Sequence, residues 1–215
     1  MDRRMNRVSE FGWTRTARML HWGVAAAILI EVPAGFTMAW TYGSKFADTQ
    51  AVHLRASQAH HTIGMLVLLA FLVRLYWRSR HPAPPLPHTI PAPQRWVARG
   101  VQALLYALLL FVPLTGWAAL SSMAAGGGYP APPMWFFGHN GFGPGGLIPR
   151  IVTPVPWNAP GLLTYGHLAK AHVWLLILGG TALALHIAGA LYHHFIKHDG
   201  VLRRMLSSRG ARTQC

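Results

Sequence analysis

The chain has 215 residues, of which 52% are hydrophobic and only 11% are charged, against about 25% charged residues in an average soluble domain. This composition excludes an ordinary soluble domain and indicates a membrane protein. The formal net charge of +14 does not predict nucleic acid as a partner, because the basic residues flank apolar runs and form no single basic face. The one cysteine, Cys215, excludes a disulfide or a cysteine-ligated iron–sulfur site within one chain.

Four apolar runs of about 20 residues follow one another along the chain, and each is long enough to cross about 30 Å of hydrocarbon as a helix. Only helices and closed barrels span membranes, and these runs lack the alternation of barrel strands. We therefore predict an all-α fold, an integral membrane four-helix bundle in contact with lipid, and a single domain over residues 1–215. The predicted helices cover about residues 17–40, 57–77, 97–120 and 168–194, with an outer loop over about residues 121–166.

The segments between the predicted helices differ in composition. The link from His81 to Gln94 is rich in proline, which predicts a stiff extended strap. The outer loop is rich in glycine, proline and tryptophan, and its role stays open at this point. Lysine and arginine are also unevenly distributed: of 19 such residues, only Lys45, Arg55, Arg150 and Lys170 lie on the side of the outer loop. Because cytoplasmic segments are enriched in these residues, both termini are predicted to be cytoplasmic.

Two histidines on the fourth predicted helix, His172 and His186, are fourteen residues apart. Helical rotation over this spacing falls about 40° short of whole turns, so both lie on nearly the same face, about 21 Å apart along the axis. With cytoplasmic termini, membrane depth pairs His186 with His21 near the inner surface and His172 with His60 near the outer surface. Polar groups at such depths usually face a bundle interior and serve a function. Two facing imidazoles at each level suit the axial ligands of a haem iron.

Other interpretations of these histidines stay open. A single histidine near a helix end is more often an interfacial or hydrogen-bonded residue than a ligand, and a histidine-based metal or proton transporter without haem is a rival function. A metal site is also an alternative at the cluster of His193, His194 and His198. Small residues on the helices either allow close helix packing or leave room for a flat macrocycle: Gly64, Gly179, Gly180 and Gly189.

Four stretches of the chain are the most distinctive: RMLHW at Arg18–Trp22, AHHTIGMLVLLAFLVRLYWR at Ala59–Arg78, PLTGW at Pro113–Trp117, and the histidines of the fourth helix followed by YHHFIKHDGVLRRML at Tyr192–Leu206. Over about residues 14–206, the sequence resembles the bacterial cytochrome b561 family, the four-helix dihaem cytochromes b. The resemblance implies two haems b per chain, with iron bound axially by His21, His60, His172 and His186. The main ambiguity is whether His60 or its neighbour His61 is the ligand, and the sequence spacing to Gly64 and Arg74 favours His60.

The resemblance implies a protein of the bacterial inner membrane that carries electrons between a periplasmic-side donor and the quinone pool of the respiratory chain, with ubiquinone as substrate. Some members resemble superoxide:ubiquinone oxidoreductases. The alternative is a non-catalytic haem b anchor subunit that connects a partner dehydrogenase or hydrogenase to quinone, and a homodimer is a further alternative. No catalytic residue is predicted. Candidate contacts of quinone or of a haem propionate are His193, Trp22 and Arg74, whereas Glu31 is a candidate proton relay or interfacial group.

Overall fold

The computed structural model describes residues 12–85, 90–123, 134–135, 147–156 and 159–206. Within these ranges the chain forms helices and no strand. The helices are α1 (Arg15–Thr41), α2 (Ala47–Arg80), α3 (Ala92–Ser122), α4 (Tyr165–Tyr192), which continues into a π-helical turn (His193–Lys197), and α5 (Val201–Leu206). The first three helices, and the fourth counted to Lys197, are long and apolar enough to cross a membrane. The predicted all-α fold with four membrane-spanning helices is confirmed.

The long helices extend beyond the apolar runs that predict them. Helix α2 begins at Ala47, well before the predicted start at residue 57, although about half of the added segment is polar. Hydropathy marks only the part of a helix that lies in hydrocarbon, whereas helix propensity continues through alanine, glutamine and arginine. Ser44 closes the preceding turn, since its Oγ accepts the backbone N–H of Phe46 at 3.3 Å and its carbonyl accepts the side-chain amide of Gln50 at 3.1 Å.

The proline-rich strap is shorter than the sequence predicts. Instead of continuing to Gln94, the link ends before Ala92, where α3 begins with Pro93 in its first turn. Proline is tolerated there because the N–H that it lacks would have no partner within the helix. Residues 82–85 form no helix or strand, and residues 86–89 lie outside the described ranges.

Contacts divide the chain into two compact units. The described residues of the first unit lie within Met1–Val24, Ala70–Leu108 and Ile177–Cys215, and those of the second within Ala25–Leu69 and Leu109–Leu176. Each unit therefore contains a segment of every long helix.

The first unit also contains the π-helical turn and α5, which are tied to its helices by hydrogen bonds. The indole N–H of Trp22 donates to the carbonyl of Met205 at 3.1 Å, and Arg204 donates to the carbonyl of Pro85 at 3.0 Å. The indole N–H of Trp77 donates to Oγ1 of Thr14 at 3.1 Å. These bonds hold the residues before α1 and after α4 at the same end of the unit.

In the second unit, the described parts of the outer loop pack on the middle of α2 and on the C-terminal end of α3. Met134 and Ile148 are buried against the partly buried side chains of Met65, Trp117 and Leu120. The indole N–H of Trp117 donates to a loop carbonyl at 2.9 Å. Most of the glycine-rich stretch predicted for this loop lies outside the described residues.

Large apolar side chains are exposed along the helices, where a soluble protein would bury them. Trp40 is 92% exposed and Trp174 70% exposed. Among the described residues, the most deeply buried side chains carry hydroxyl groups instead: Thr62, Ser121 and Ser122. Such a distribution is typical of helices whose outer faces contact lipid and whose interfaces use small residues.

Candidate functional site

In the second unit, His60 of α2 faces His172 of α4. Their ring centroids are 6.0 Å apart and the ring planes are nearly perpendicular, at 88°. His61 lies beside His60, with ring centroids 5.7 Å apart, and its Nδ1 is buried with no hydrogen-bond partner within the described ranges. The ring that the structure places 6.0 Å from that of His172 is thus that of His60.

Helix α3 orients the imidazole of His172. Nδ1 of His172 is 2.8 Å from the carbonyl oxygen of Val112 and 3.3 Å from Oγ1 of Thr115. A carbonyl oxygen only accepts, so Nδ1 carries the proton and Nε2 keeps a free lone pair. This is the usual arrangement of a metal-binding histidine, whose second nitrogen donates to a carbonyl or carboxylate. Gly116 gives the ring its space, since a Cβ there would lie 3.2 Å from Cε1 of His172.

Helix α1 supplies a carboxylate to His60. Oε1 of Glu31 is 2.9 Å from Nδ1 of His60, and the two side chains are 16% and 19% exposed. No hydrogen bond of standard geometry joins the two atoms, so the carboxylate and the imidazole are in close electrostatic contact. The other carboxylate oxygen, Oε2, is buried with no hydrogen-bond partner among the described residues. Glu31, which the sequence leaves between two roles, is therefore directed at a candidate ligand.

In the first unit, His21 of α1 faces His186 of α4. Their ring centroids are 6.2 Å apart, at an interplanar angle of 66°. Nη1 of Arg74 is 3.1 Å from Nδ1 of His21, and Nε of Arg74 donates to the hydroxyl of Tyr106 at 2.9 Å. Because a guanidinium only donates, Nδ1 of His21 accepts and the proton of the neutral ring lies on Nε2. Metal binding through Nε2 requires the other tautomer, so Arg74 must turn away from Nδ1 when this ring binds a metal.

The remaining predicted site residues also lie in the first unit. The ring of Trp22 is 5.2 Å from that of His21. His193 begins the π-helical turn, where its Nδ1 contacts Oδ2 of Asp199, and it lines a cavity of about 70 Å³ together with Gln94 and Lys197. Asp199 therefore fixes the His193 ring. In the part of the chain that the structure describes, no group of three or more His, Cys, Asp or Glu side chains is arranged to hold a metal ion.

The glycines singled out in the sequence differ in their surroundings. A Cβ at Gly64 would lie 3.0 Å from Oε1 of Glu31, and one at Gly179 would lie 3.8 Å from Leu108. At Gly180 and Gly189 nothing lies within 4 Å. Only the first of these four glycines is thus required by a close contact at a candidate site.

Both histidine pairs have the spacing that a single bridging metal requires. Two imidazoles that bind opposite sides of one metal, with metal–nitrogen bonds of about 2 Å, have centroids about 6 Å apart. The observed distances are 6.0 and 6.2 Å. Two protein ligands alone do not satisfy a free metal ion, whereas an iron held by a porphyrin needs only axial ligands. The residues present therefore fit haem.

Membrane-spanning helices that present facing histidine pairs define the class of membrane-bound b-type cytochromes. Residues 12–208 match the family model described as prokaryotic cytochrome b561. The chain belongs to the prokaryotic cytochrome b561 family, as the sequence motifs predict. It is therefore a multi-pass haem b protein of the bacterial inner membrane, suited to electron transport.

Individual relatives align over most of the chain. Cytochrome b561 homolog 1 of Escherichia coli (strain K12) is 26% identical over 205 residues, which cover 95% of this chain and 99% of that protein. Cytochrome b562 of Cereibacter sphaeroides is 29% identical over 200 residues, covering 93% and 98%. Cytochrome b561 homolog 2 of Escherichia coli (strain K12) is 31% identical over 153 residues, covering 71% of each chain.

Proposed function

We propose that the chain binds two haems b, one at each histidine pair, and transfers electrons between a donor on the periplasmic side and ubiquinone in the membrane. The observation that carries this proposal is the facing pair of imidazoles in each unit, at 6.0 and 6.2 Å. In this proposal His60 and His172 bind one iron, and His21 and His186 bind the other.

Haem held by these histidines would supply one-electron transfer between ferric and ferrous iron. The protein's own residues hold and orient the axial ligands. The carbonyl of Val112 fixes the tautomer of His172, and the carboxylate of Glu31 contacts Nδ1 of His60. The guanidinium of Arg74, which must leave Nδ1 of His21, is a candidate partner for an anionic haem propionate.

The direction of the chain in the membrane is proposed from its charges. Of the 19 lysine and arginine residues, all but four lie on one side of the four spans, which supports cytoplasmic termini. With this orientation His60 and His172 lie towards the periplasm. The cavity beside His193 and Lys197 then lies towards the cytoplasm, where these donors can contact a quinone carbonyl or a propionate.

Purified protein from haem-replete cells tests the proposal. The pyridine haemochrome spectrum should give two haems b per chain, and the protein alone should oxidise ubiquinol or reduce ubiquinone in detergent or proteoliposomes. A parallel assay with superoxide as the one-electron donor tests the narrower activity of a superoxide:ubiquinone oxidoreductase.

Two outcomes contradict different parts of the proposal. A colourless preparation refutes haem binding and favours a transporter without haem. Two haems without quinone activity refute a self-sufficient oxidoreductase and favour an anchor subunit that needs a partner dehydrogenase. A variant that lacks both His60 and His21 serves as the haem-free control in each assay.

A further inference from the structure

The contact between Glu31 and His60 depends on a specific interlock of two helices. Glu31 and Gly35 are four residues apart on α1, and His60 and Gly64 are four residues apart on α2, so each pair lies on one face of its helix. A Cβ at Gly64 would lie 3.0 Å from Oε1 of Glu31, and a Cβ at Gly35 would lie 2.9 Å from Cε1 of His60. Each helix thus offers a glycine where the other places its polar side chain.

Glu31 is also the only acidic residue of α1, and its carboxylate has no second partner that would share its charge among the described residues. An anion beside Nδ1 of His60 favours the tautomer with its proton on Nδ1, which leaves the Nε2 lone pair for a metal. A carboxylate on the second nitrogen also makes an imidazole a more basic ligand. A more basic ligand, together with a nearby negative charge, stabilises ferric iron over ferrous iron.

The other histidine pair has a neighbour of opposite charge. In the first unit the side chain next to His21 is the guanidinium of Arg74, with 3.1 Å between Nη1 and Nδ1. A positive charge beside a haem stabilises the ferrous form, because ferrous haem carries one positive charge fewer than ferric haem. Arg74 keeps its charge in either orientation, whether on His21 or on a propionate.

We propose that Glu31 is the positioning residue of His60 and that its carboxylate lowers the reduction potential of the haem held by His60 and His172 below that of the haem held by His21 and His186. This inference rests on the proposed function, since it requires haem at both pairs. In this role Glu31 is neither a proton relay nor an interfacial group, and the haem held by His60 and His172 has the lower of the two reduction potentials.

Redox potentiometry of the purified protein tests this order. Wild-type protein should titrate in two one-electron steps, and His172→Ala should remove the lower one, which assigns that step to the His60–His172 pair. Glu31→Gln keeps the size and an acceptor oxygen but removes the charge. It should favour reduction of the same haem by about tenfold, an upward shift of about 59 mV for one electron, while the upper step stays in place.

Two further variants make the result specific. Glu31→Ala removes both the charge and the contact, and the haem affinity of this pair should fall about 10- to 100-fold, as is usual when the partner of a metal ligand is lost. Asp48→Asn, in the first turn of α2, changes the net charge equally and should leave both steps unchanged. The upper step, together with low-spin electron paramagnetic resonance signals of both haems, reports that the glutamine variant is folded and fully loaded.

The inference is overturned if His172→Ala removes the upper step, or if Glu31→Gln leaves the lower step where it is in wild-type protein. These outcomes differ from failure of the proposed function itself. That failure would show in wild-type protein, as fewer than two haems per chain or as a lack of quinone activity.

Discussion

Replacing Gly35 by alanine should remove one haem and spare the other. The new Cβ would lie 2.9 Å from Cε1 and 3.0 Å from Nδ1 of His60. Ordinary carbon contacts begin at 3.4 Å, so the ring must move by about 0.5 Å, which is the tolerance within which binding constellations must be held. Alanine is otherwise the better helix former by about 1 kcal/mol, so a loss of haem would reflect the displaced ring and not a weakened helix.

The assay is the haem-to-protein ratio from the pyridine haemochrome spectrum. For Gly35→Ala it should fall to about half of the wild-type ratio, with the redox step of the His21–His186 pair retained. Gly23→Ala, on the same helix and with nothing within 4 Å, is the matched control and should keep both haems. Gly116→Ala, with its Cβ 3.2 Å from His172, should have an intermediate effect. A Gly35→Ala protein with two haems and unchanged potentials would refute the reasoning.

Three further variants test other contacts. His172→Ala should remove the haem of its own pair and largely spare that of His21 and His186; loss of the latter's spectrum instead would show that the pairing is wrong. Trp22→Phe should remove the hydrogen bond to the carbonyl of Met205, which is worth about 1 kcal/mol. A protease should then cut α5 faster in limited proteolysis, and an unchanged rate of cleavage would contradict this prediction. Thr62→Val should leave a backbone N–H of the outer loop unpaired and destabilise the protein by about 1–3 kcal/mol; an equal loss in Thr62→Ser would show that the hydroxyl is not the cause.

The number and order of the helices could be predicted from sequence, because a span of hydrocarbon sets a minimum length of apolar residues. Their ends could not, since helix propensity continues beyond the membrane, as the early start of α2 at Ala47 shows. The π-helical turn after Tyr192 has no hydropathy signal either. The strap ends earlier than predicted because prolines suit the first turn of a helix as well as an extended chain.

The depth argument pairs the same histidines that the structure brings together, because position along a helix determines height in the membrane. Their role as haem ligands stays a prediction. The partners of these histidines could not be predicted, since they depend on the rotation of each helix about its axis. Glu31 on His60 and Arg74 on His21 are such contacts. The sequence did contain one indication of the contact between Glu31 and His60, because Gly35 follows Glu31 by four residues and so lies on the same face of α1.

The buried hydroxyl groups of the second unit have a thermodynamic consequence. Oγ of Ser121 donates to the carbonyl of Trp117 at 2.8 Å, and Oγ of Ser122 donates to that of Ala119 at 2.7 Å. Both carbonyls belong to the same helix as the serines, so these bonds survive when the helices separate within a bilayer, a step that exposes apolar side chains to lipid and little apolar area to water. The heat capacity change of that separation should therefore be close to zero, because it arises from hydration. The stability of the helices against this separation should therefore vary almost linearly with temperature, without the maximum near room temperature that water-soluble proteins show.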